Sequence, residues 1–399
     1  MSSKYLQLAC LLSLSVFVAN ALGRSPAEDN STIPRTSGDS VNKLSRADWA
    51  QGEFDAGHSV FNPAEHTLNP SNVGSLGLAW TASPGGFTLY ATPIVVNGRV
   101  FLGGGDGRMY AFDAATGSSL WTSKKLGQTF FVDSATFADG LVFASNIYGP
   151  LTALNATNGK VIWTSSVVTD LRAPPTALGH ILYAAAFDGT LYALDTRSGS
   201  VLWSAPGGCC VFDQAPVVSD GRVFQMRTDD TLTAYDASNG TQLWTTTDFT
   251  VGTMAAVDGK LIYGSFPNVV SRDQATGSVL WTAPVFGSAS SASPAVANGL
   301  VFVETRLSDL TALDENTGKI VWTAPASSEW GPSVANGVVY ASNFSGEWDA
   351  YNATDGAQLW SVISNSGCFG PCTNTIPVVS RGMLYLATGS ELQAYRVTP

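Results

Sequence analysis

The sequence predicts an all-β fold, an eight-bladed β-propeller built from four-stranded antiparallel blades. Two observations predict it. A tryptophan returns at spacings of 37 to 42 residues, and similar turn residues surround it each time. Charged residues make up only 13% of the chain, against about 25% in ordinary soluble domains, and there are 40 glycines. Many short strands joined by tight turns fit this composition better than helices do.

The repeat unit contains three short apolar or alternating runs and a fourth run that carries the tryptophan. Four antiparallel strands in about 40 residues form one propeller blade. An aromatic residue at the same place in every unit predicts packing between neighbouring blades. The repeated tryptophans are Trp80, Trp121, Trp163, Trp203, Trp244, Trp281, Trp322 and Trp360.

Turn residues separate the runs at fixed places. The first turn carries Asn-Gly or Asp-Gly in most units, as in Asn97-Gly98 and Asp139-Gly140. Both central residues of a type I′ turn need a positive φ, which these residue types tolerate. A further glycine lies four residues before each repeated tryptophan from Trp121 onward, as in Thr116-Gly117. The pattern therefore predicts tight hairpins throughout the repeat.

The two ends of the chain predict how the ring closes. The last unit, TIPVVSRGMLYLATGSELQAYRV, stops after three strands, whereas SLGLAW carries Trp80 without preceding strands. We expect this N-terminal strand to complete the last blade, within a propeller that spans residues 48–399. Such closure removes exposed sheet edges, which otherwise invite aggregation.

The first 47 residues have a different character. Lys4, an apolar run from Leu6 to Val18 and an A-x-A pattern predict a signal peptide over residues 1–21. The run is shorter than the roughly 20 residues of a membrane span, so an integral membrane protein is not expected. Residues 22–47 are polar and without aromatics, which predicts a flexible linker. A secreted or periplasmic protein is therefore expected.

The charge and the motif content exclude several classes of function. A net charge of −11, without a long basic run, argues against a nucleic-acid partner. The three histidines, His58, His66 and His180, are far apart in sequence, and His180 stands where most units have a turn glycine. None of the familiar hydrolase, zinc or phosphate-binding motifs occurs. Catalytic and metal-binding residues are left unassigned, and a monomer is expected.

The repeated motifs small-Pro-Val-Val, Asn/Asp-Gly, Asp-Gly-x-Leu, Ala-Leu-Asp and Thr-Gly-x-x-x-Trp resemble the PQQ-binding-like β-propeller repeat family. The stretch from Asp48 to Trp80 resembles the start of that family. The resemblance implies one of two functions. Quinoprotein dehydrogenases bind pyrroloquinoline quinone (PQQ) with Ca²⁺ and oxidise alcohols or sugars, whereas BamB-type scaffolds bind partners and no cofactor.

The connections between the fourth strand of one blade and the first strand of the next vary most in length and composition. We expect them to surround the central channel and to carry function. Cys209-Cys210 lies on one connection, and the resemblance implies a vicinal disulfide used as a PQQ platform. Cys368 and Cys372 lie on another, four blades away. Three pairings are open, and local bonds are favoured because bonded cysteines need Cα atoms within about 7 Å.

Other residues near the channel are candidates for cofactor binding. A tricarboxylate such as PQQ requires cationic partners, and the candidates are Arg172, Arg227 and Arg306, together with the aromatic Trp330. The sequence favours an exported binding or scaffold protein, with a protein or carbohydrate ligand at the connections. A PQQ- and Ca²⁺-dependent dehydrogenase is the alternative.

Overall fold

A computed structural model of the chain confirms the eight-bladed β-propeller, with eight sheets of four or five strands each. The structure describes residues 44–86, 91–127, 134–145, 149–207, 214–248, 251–265, 267–285, 293–304, 309–326, 330–343, 346–363 and 375–398. Within these ranges the only helical element is a single 3-10 turn, Val73–Ser75. Two strands precede the first complete blade, β1 (Phe61–Asn62) and β2 (Leu76–Ala82).

Blades 1 to 4 follow in chain order, each with four strands that pair only with their sequence neighbours. Their strands are β3 (Ile94–Val96), β4 (Arg99–Gly103), β5 (Met109–Asp113) and β6 (Ser119–Thr122); β7 (Thr136–Ala138), β8 (Leu141–Ala144), β9 (Pro150–Asn155) and β10 (Val161–Thr169); β11 (Thr176–Leu178), β12 (Ile181–Ala185), β13 (Leu191–Asp195) and β14 (Val201–Ala205); β15 (Val217–Ser219), β16 (Arg222–Met226), β17 (Thr231–Asp236) and β18 (Gln242–Thr247).

Blades 5 to 7 repeat this order, and blade 8 has three strands from the C-terminal end of the chain. Their strands are β19 (Val251–Val257), β20 (Lys260–Ser265), β21 (Asn268–Asp273) and β22 (Val279–Pro284); β23 (Ala295–Ala297), β24 (Leu300–Glu304), β25 (Asp309–Asp314) and β26 (Ile320–Pro325); β27 (Ser333–Ala335), β28 (Val338–Ser342), β29 (Glu347–Asn352) and β30 (Gln358–Ile363); β31 (Val378–Ser380), β32 (Met383–Thr388) and β33 (Glu391–Val397).

The ring closes as predicted. Strand β2, which carries Trp80, pairs antiparallel with β33 and supplies the fourth strand of blade 8. The predicted hairpin geometry is also confirmed, with φ of 51° at Asn97 and 73° at Gly98. The first turn of blade 3 differs, because there the positive φ belongs to Gly179 and not to His180. Glycine at the first central position is typical of a type II′ turn.

The repeated tryptophans contact the next blade, and each makes a hydrogen bond that was not predicted. The indole Nε1 donates to a backbone carbonyl of the next blade, where the oxygen would otherwise be buried without a partner. The acceptors, in order from Trp80 to Trp360, are the oxygens of Ala114, Ala156, Thr196, Ala237, Gln274, Glu315, Ala353 and Leu76. The same contact therefore stabilises all eight blade interfaces.

The sequence did not predict the course of residues 47–62, which we call the N-terminal segment. It follows the inner wall of the central channel from blade to blade and bonds to the middle residue of each three-residue innermost strand, and to Ala256 in β19. Its contacts, in blade order, are Trp49 with Val95, Ala50 with Phe137, the Gln51 side chain with Ala177, Ala56 with Val218, Gly57 with Ala256, Ser59 with Val296, Val60 with Val334, and the Asn62 side chain with Val379.

This segment also ends in the sheet of blade 7, where β1 pairs parallel with β27. Trp49 and Val60 have no exposed surface, so the segment is part of the core and fills the channel at the level of the innermost strands. Among the described residues, no helix has the length and apolar character needed to cross a membrane.

Candidate functional site

The floor of the central channel carries a polar cluster centred on Glu53, which lies in the N-terminal segment. One carboxylate oxygen, Oε1, accepts hydrogen bonds from the hydroxyls of Thr253, at 3.1 Å, and Ser293. The other, Oε2, lies 2.6 Å from Nδ1 of His58. On the far side of the imidazole, Nε2 lies 3.1 Å from Oγ1 of Thr176. A single network therefore joins the segment to blades 3, 5 and 6.

Close packing and an unusual backbone hold this network in place. A Cβ atom at Gly57 would lie 2.6 Å from the carbonyl oxygen of Ala256, so glycine is required where the segment meets blade 5. Phe54, His58 and Val60 have φ of 78°, 56° and 51°. A left-handed backbone is unfavourable for these residues, above all for the β-branched Val60, and persists only where the surroundings fix it.

The electrostatics of Glu53 follow from its neighbours. Burial by itself raises the pKa of a carboxyl, because it disfavours the charged form. Here the positive charge of His58 and the hydrogen bonds from His58, Ser293 and Thr253 outweigh burial, so that the pKa of Glu53 lies below 4.5. The floor therefore presents a carboxylate that stays ionised at neutral pH.

The cluster lies on the side from which the fourth-to-first connections reach the channel. Thr253 and Ser293 each precede by three residues the strand positions that the N-terminal segment contacts, Ala256 and Val296. Because the innermost strands all run in the same direction across the channel, Glu53 faces the ends where those connections arrive. The variable connections and the polar floor therefore belong to the same end of the molecule.

Three of the predicted site residues lie within the described ranges, and they belong to three different blades. Arg172 precedes blade 3; its guanidinium lies 3.7 Å from the ring centre of Phe187, and its Nε lies 3.3 Å from Oδ1 of Asp170. Arg227 follows β16 in blade 4 and donates from Nη2 to the hydroxyl of Tyr235. Trp330 precedes blade 7 and is half-buried against the core.

The remaining predicted site residues, Cys209, Cys210, Arg306, Cys368 and Cys372, lie outside the described residues. The cysteine pairing and the PQQ platform therefore stay predictions. His180, for which a turn role was expected, belongs to the first turn of blade 3, with Nδ1 2.7 Å from Oδ2 of Asp139 in blade 2. Sequence reasoning missed Glu53 as a site residue; its one signal was the non-repetitive stretch QGEFDAGH, residues 51–58.

The described residues do not fit the calcium that accompanies PQQ. Calcium takes six to eight oxygen ligands, commonly with several carboxylates. Within the described ranges, no three His, Cys, Asp or Glu side chains are grouped so that they could hold a metal ion. Glu53 is the carboxylate of the floor, and it is already ion-paired with His58. The guanidinium of Arg172 is likewise occupied by Asp170 and Phe187.

Comparison with known proteins identifies the family. A family model described as outer membrane protein assembly factor BamB matches residues 106–209, 208–265 and 265–398. The chain belongs to the PQQ-like β-propeller family. A second model of this family, the β-propeller domain of glucose, ethanol and alcohol dehydrogenases, matches residues 49–131. The resemblance inferred from the repeat motifs is thereby confirmed.

Relatives within the PQQ-like β-propeller family differ in what they are named for. Tetrathionate hydrolase of Acidithiobacillus ferrooxidans is 27% identical over 60% of this chain and 45% of its own length. BamB of Burkholderia pseudomallei is 28% identical over 57% of this chain and 64% of its own length. The chain thus aligns with less than two thirds of either relative.

Quinohemoprotein alcohol dehydrogenase of Comamonas testosteroni is 26% identical over 44% of this chain and 26% of its own length. Its crystal structure superposes with a TM-score of 0.72, covering 88% of this chain and 80% of that one, at 14% identity. This likeness shows a shared propeller fold. It does not carry the chemistry of the dehydrogenase to this chain.

Proposed function

We propose that this chain is an exported binding module, a scaffold whose ligand enters the central funnel from the side of the fourth-to-first connections. The observation that carries the proposal is the N-terminal segment, which bonds to the innermost strands of all eight blades. It turns the channel into a recess with a floor. Concave sites with a few placed polar groups are the usual form of ligand pockets.

The chemistry of the floor supports a polar ligand. Glu53 and the hydroxyls of Thr253 and Ser293 supply hydrogen-bonding groups, and Trp330 supplies a half-buried aromatic surface in a neighbouring connection. The ligand is a protein segment or a carbohydrate, and no nucleic acid is expected for a chain of net charge −11. The relatives are named for three different functions, namely assembly, hydrolysis and oxidation. Their shared fold therefore favours none of these three, and the proposal of binding rests on the site itself.

Retention of a ligand by matched variants tests this function. The mature protein, beginning at Leu22, is immobilised and exposed to soluble proteins and polysaccharides of the cell envelope. Trp330→Ala alters the funnel, whereas Val321→Ala alters the outer strand of blade 6, where Val321 is 50% exposed. We expect a retained ligand to be lost with Trp330→Ala and kept with Val321→Ala. The opposite pattern, or no retained ligand, would contradict the proposal.

A PQQ-dependent dehydrogenase is the second candidate, favoured by Cys209-Cys210 and by the dehydrogenase propeller model that matches residues 49–131. Bound PQQ would supply the oxidant for an alcohol or a sugar. Calorimetric titration with PQQ, with and without Ca²⁺, separates the two functions. Calcium-dependent binding that a Cys209→Ser, Cys210→Ser variant loses would establish the quinoprotein; the binding module predicts no such binding.

A further inference from the structure

Blade 4 departs from the repeat at two buried positions. The blades can be aligned on the second residue of their first turn, which is Gly98 in blade 1. Four residues after this position, the other blades have an apolar residue or tyrosine: Leu102, Ala144, Ala184, Tyr263, Val303, Ala341 and Leu386. In blade 4 it is Gln225, which has no exposed surface. Two places further on, the other blades have glycine, alanine, serine, threonine or asparagine, whereas blade 4 has Arg227, of which 8% is exposed.

These side chains lie between blades 3 and 4. Side chains alternate along a strand, so Val223, Gln225 and Arg227 share one face. Val223 pairs with Tyr235 in the sheet, and both pack against core residues of blade 3 such as Tyr183. Gln214, half-buried in the connection that enters blade 4, completes the group, because its backbone carbonyl oxygen accepts from Nε2 of Gln225 at 3.2 Å.

Several polar atoms of this group have no partner within the described ranges. They are Nε of Arg227 and Oε1 of both Gln225 and Gln214. The amide orientation of Gln225 is fixed, since its Nε2 donates to two carbonyl oxygens, of Gln214 and Met226. Buried polar atoms without partners are costly, and native structures keep few of them.

Blade 5 shows how a buried arginine is normally accommodated in this propeller. Arg272 is also 8% exposed, and the carboxylate of Asp248 accepts from its Nε at 2.9 Å and its Nη2 at 2.5 Å. No carboxylate of the described residues pairs with Arg227, whose bond is to the Tyr235 hydroxyl. A partner for Nε of Arg227 must therefore accept a hydrogen bond, whereas a partner for the amide oxygens of Gln225 and Gln214 must donate one.

A hydroxyl group has this combination of properties, since it both donates and accepts. An anion would suit Nε of Arg227 but would face two amide oxygens, and a cation would face the guanidinium. We propose that Arg227, Gln225 and Gln214 form a subsite for the hydroxyl groups of a sugar or similar polyol. The subsite rests on the proposed function and names the chemical class of its ligand. A single buried water offers the same bonds, so the experiment separates the two.

The test compares Arg227→Met with the control Arg197→Met, which makes the same change at a side chain that is 68% exposed. Glucose, galactose and mannose are titrated one at a time and followed by thermal unfolding and by ligand-observed NMR. Arg227 is buried without a carboxylate partner among the described residues, so Arg227→Met is expected to unfold at a higher temperature. We expect it to bind at least one hexose about tenfold more weakly than wild type.

Two outcomes would overturn the subsite. Equal hexose binding by all three proteins would do so, and a lower unfolding temperature for Arg227→Met alongside it would indicate a structural water. Absence of binding by all three hexoses would also overturn it. Neither result touches the funnel itself, because the comparison of Trp330→Ala with Val321→Ala reports on the proposed function independently.

Discussion

Glu53 Oε2 lies 2.6 Å from Nδ1 of His58, and both residues belong to the N-terminal segment inside the channel. The pair ties the polar floor to the element that fills the channel. Because Glu53 also accepts from blades 5 and 6, and His58 contacts blade 3, the ion pair joins distant parts of one ring. Removing the pair is expected to change the free energy of unfolding, the dependence of that free energy on pH, and the charge of the channel floor.

Glu53→Gln is expected to destabilise the fold by about 3 kcal/mol near neutral pH, because it removes a buried carboxylate that accepts hydrogen bonds from Thr253 and Ser293. The folded-state pKa of Glu53 is lowered. A carboxyl of this kind contributes stability above its unfolded value of 4.5, and this is lost as the pH falls through the lowered folded value. The difference between wild type and variant should therefore shrink as the solution becomes more acidic.

Urea unfolding of both proteins between about pH 3 and pH 7 measures this difference. Asp220→Asn is the control, since Asp220 is exposed and asparagine occupies the same turn position in blade 1, as Asn97. A Glu53→Gln curve parallel to wild type across the whole pH range would contradict a stabilising ion pair.

Asp248→Ala is expected to cost about 3 to 5 kcal/mol, because it leaves Arg272 buried without compensation. Asp248 also accepts from the Tyr263 hydroxyl, so the tyrosine loses its partner as well. Adding Arg272→Met should recover part of the loss, since the stranded charge is then gone. Urea unfolding of the two single variants and the double variant measures the coupling, and additive losses would show that the residues act independently.

Gly240→Ala is expected to be more destabilising than Gly221→Ala in the same blade. The two glycines have φ of 73° and 72°, so the cost in backbone strain is matched. A Cβ at residue 240 would lie 2.5 Å from Cε3 of Trp203, whereas nothing lies within 4 Å of one at residue 221. Thermal unfolding should show an additional loss of about 1 to 3 kcal/mol for Gly240→Ala. Equal losses of stability in the two variants would mean that the Trp203 ring can move away from the added Cβ at little cost.

Asp139→Asn is expected to weaken the link between blades 2 and 3 by no more than about 1 kcal/mol, because the His180 side chain is 65% exposed. Burial raises the pKa of Asp139, but hydrogen bonds from Thr196 and His180 lower it overall, below 3.8. The contribution is therefore present above pH 3.8 and is lost on further acidification. Thermal unfolding at neutral pH and near pH 3 checks this; a larger loss in acid would be inconsistent with it.

The repeat made much of this fold predictable. A sequence unit that is repeated along the chain predicts the number of blades. It also predicts the closure of the ring by the Trp80 strand and the packing of the tryptophans. The path of the N-terminal segment did not follow, because most of its contacts use backbone groups, such as the carbonyls of Ala50 and Gly57, which leave no side-chain signature. The flexible linker over residues 22–47 stays a prediction. The first described contact of the chain is that of Ser45 with Asp48, at the end of this range.

The candidate site was only partly predictable for a related reason. Arg227 was identified by its charge, but its significance depends on the absence of a carboxylate partner among the described residues, which the sequence does not show. Gln225 was detectable in principle, since it interrupts a column of apolar residues when the blades are aligned on their first turns. Deviations from an internal repeat are thus a sequence signal that can be used without homologues.

Binding of the ligand in the funnel above the N-terminal segment can be measured by hydrogen–deuterium exchange of the protein with and without its retained ligand. We expect slower exchange in residues 49–62 and in the fourth-to-first connections, and unchanged exchange in outer strands such as β22 (Val279–Pro284). Protection confined to the outer strands, with residues 49–62 unaffected, would contradict it.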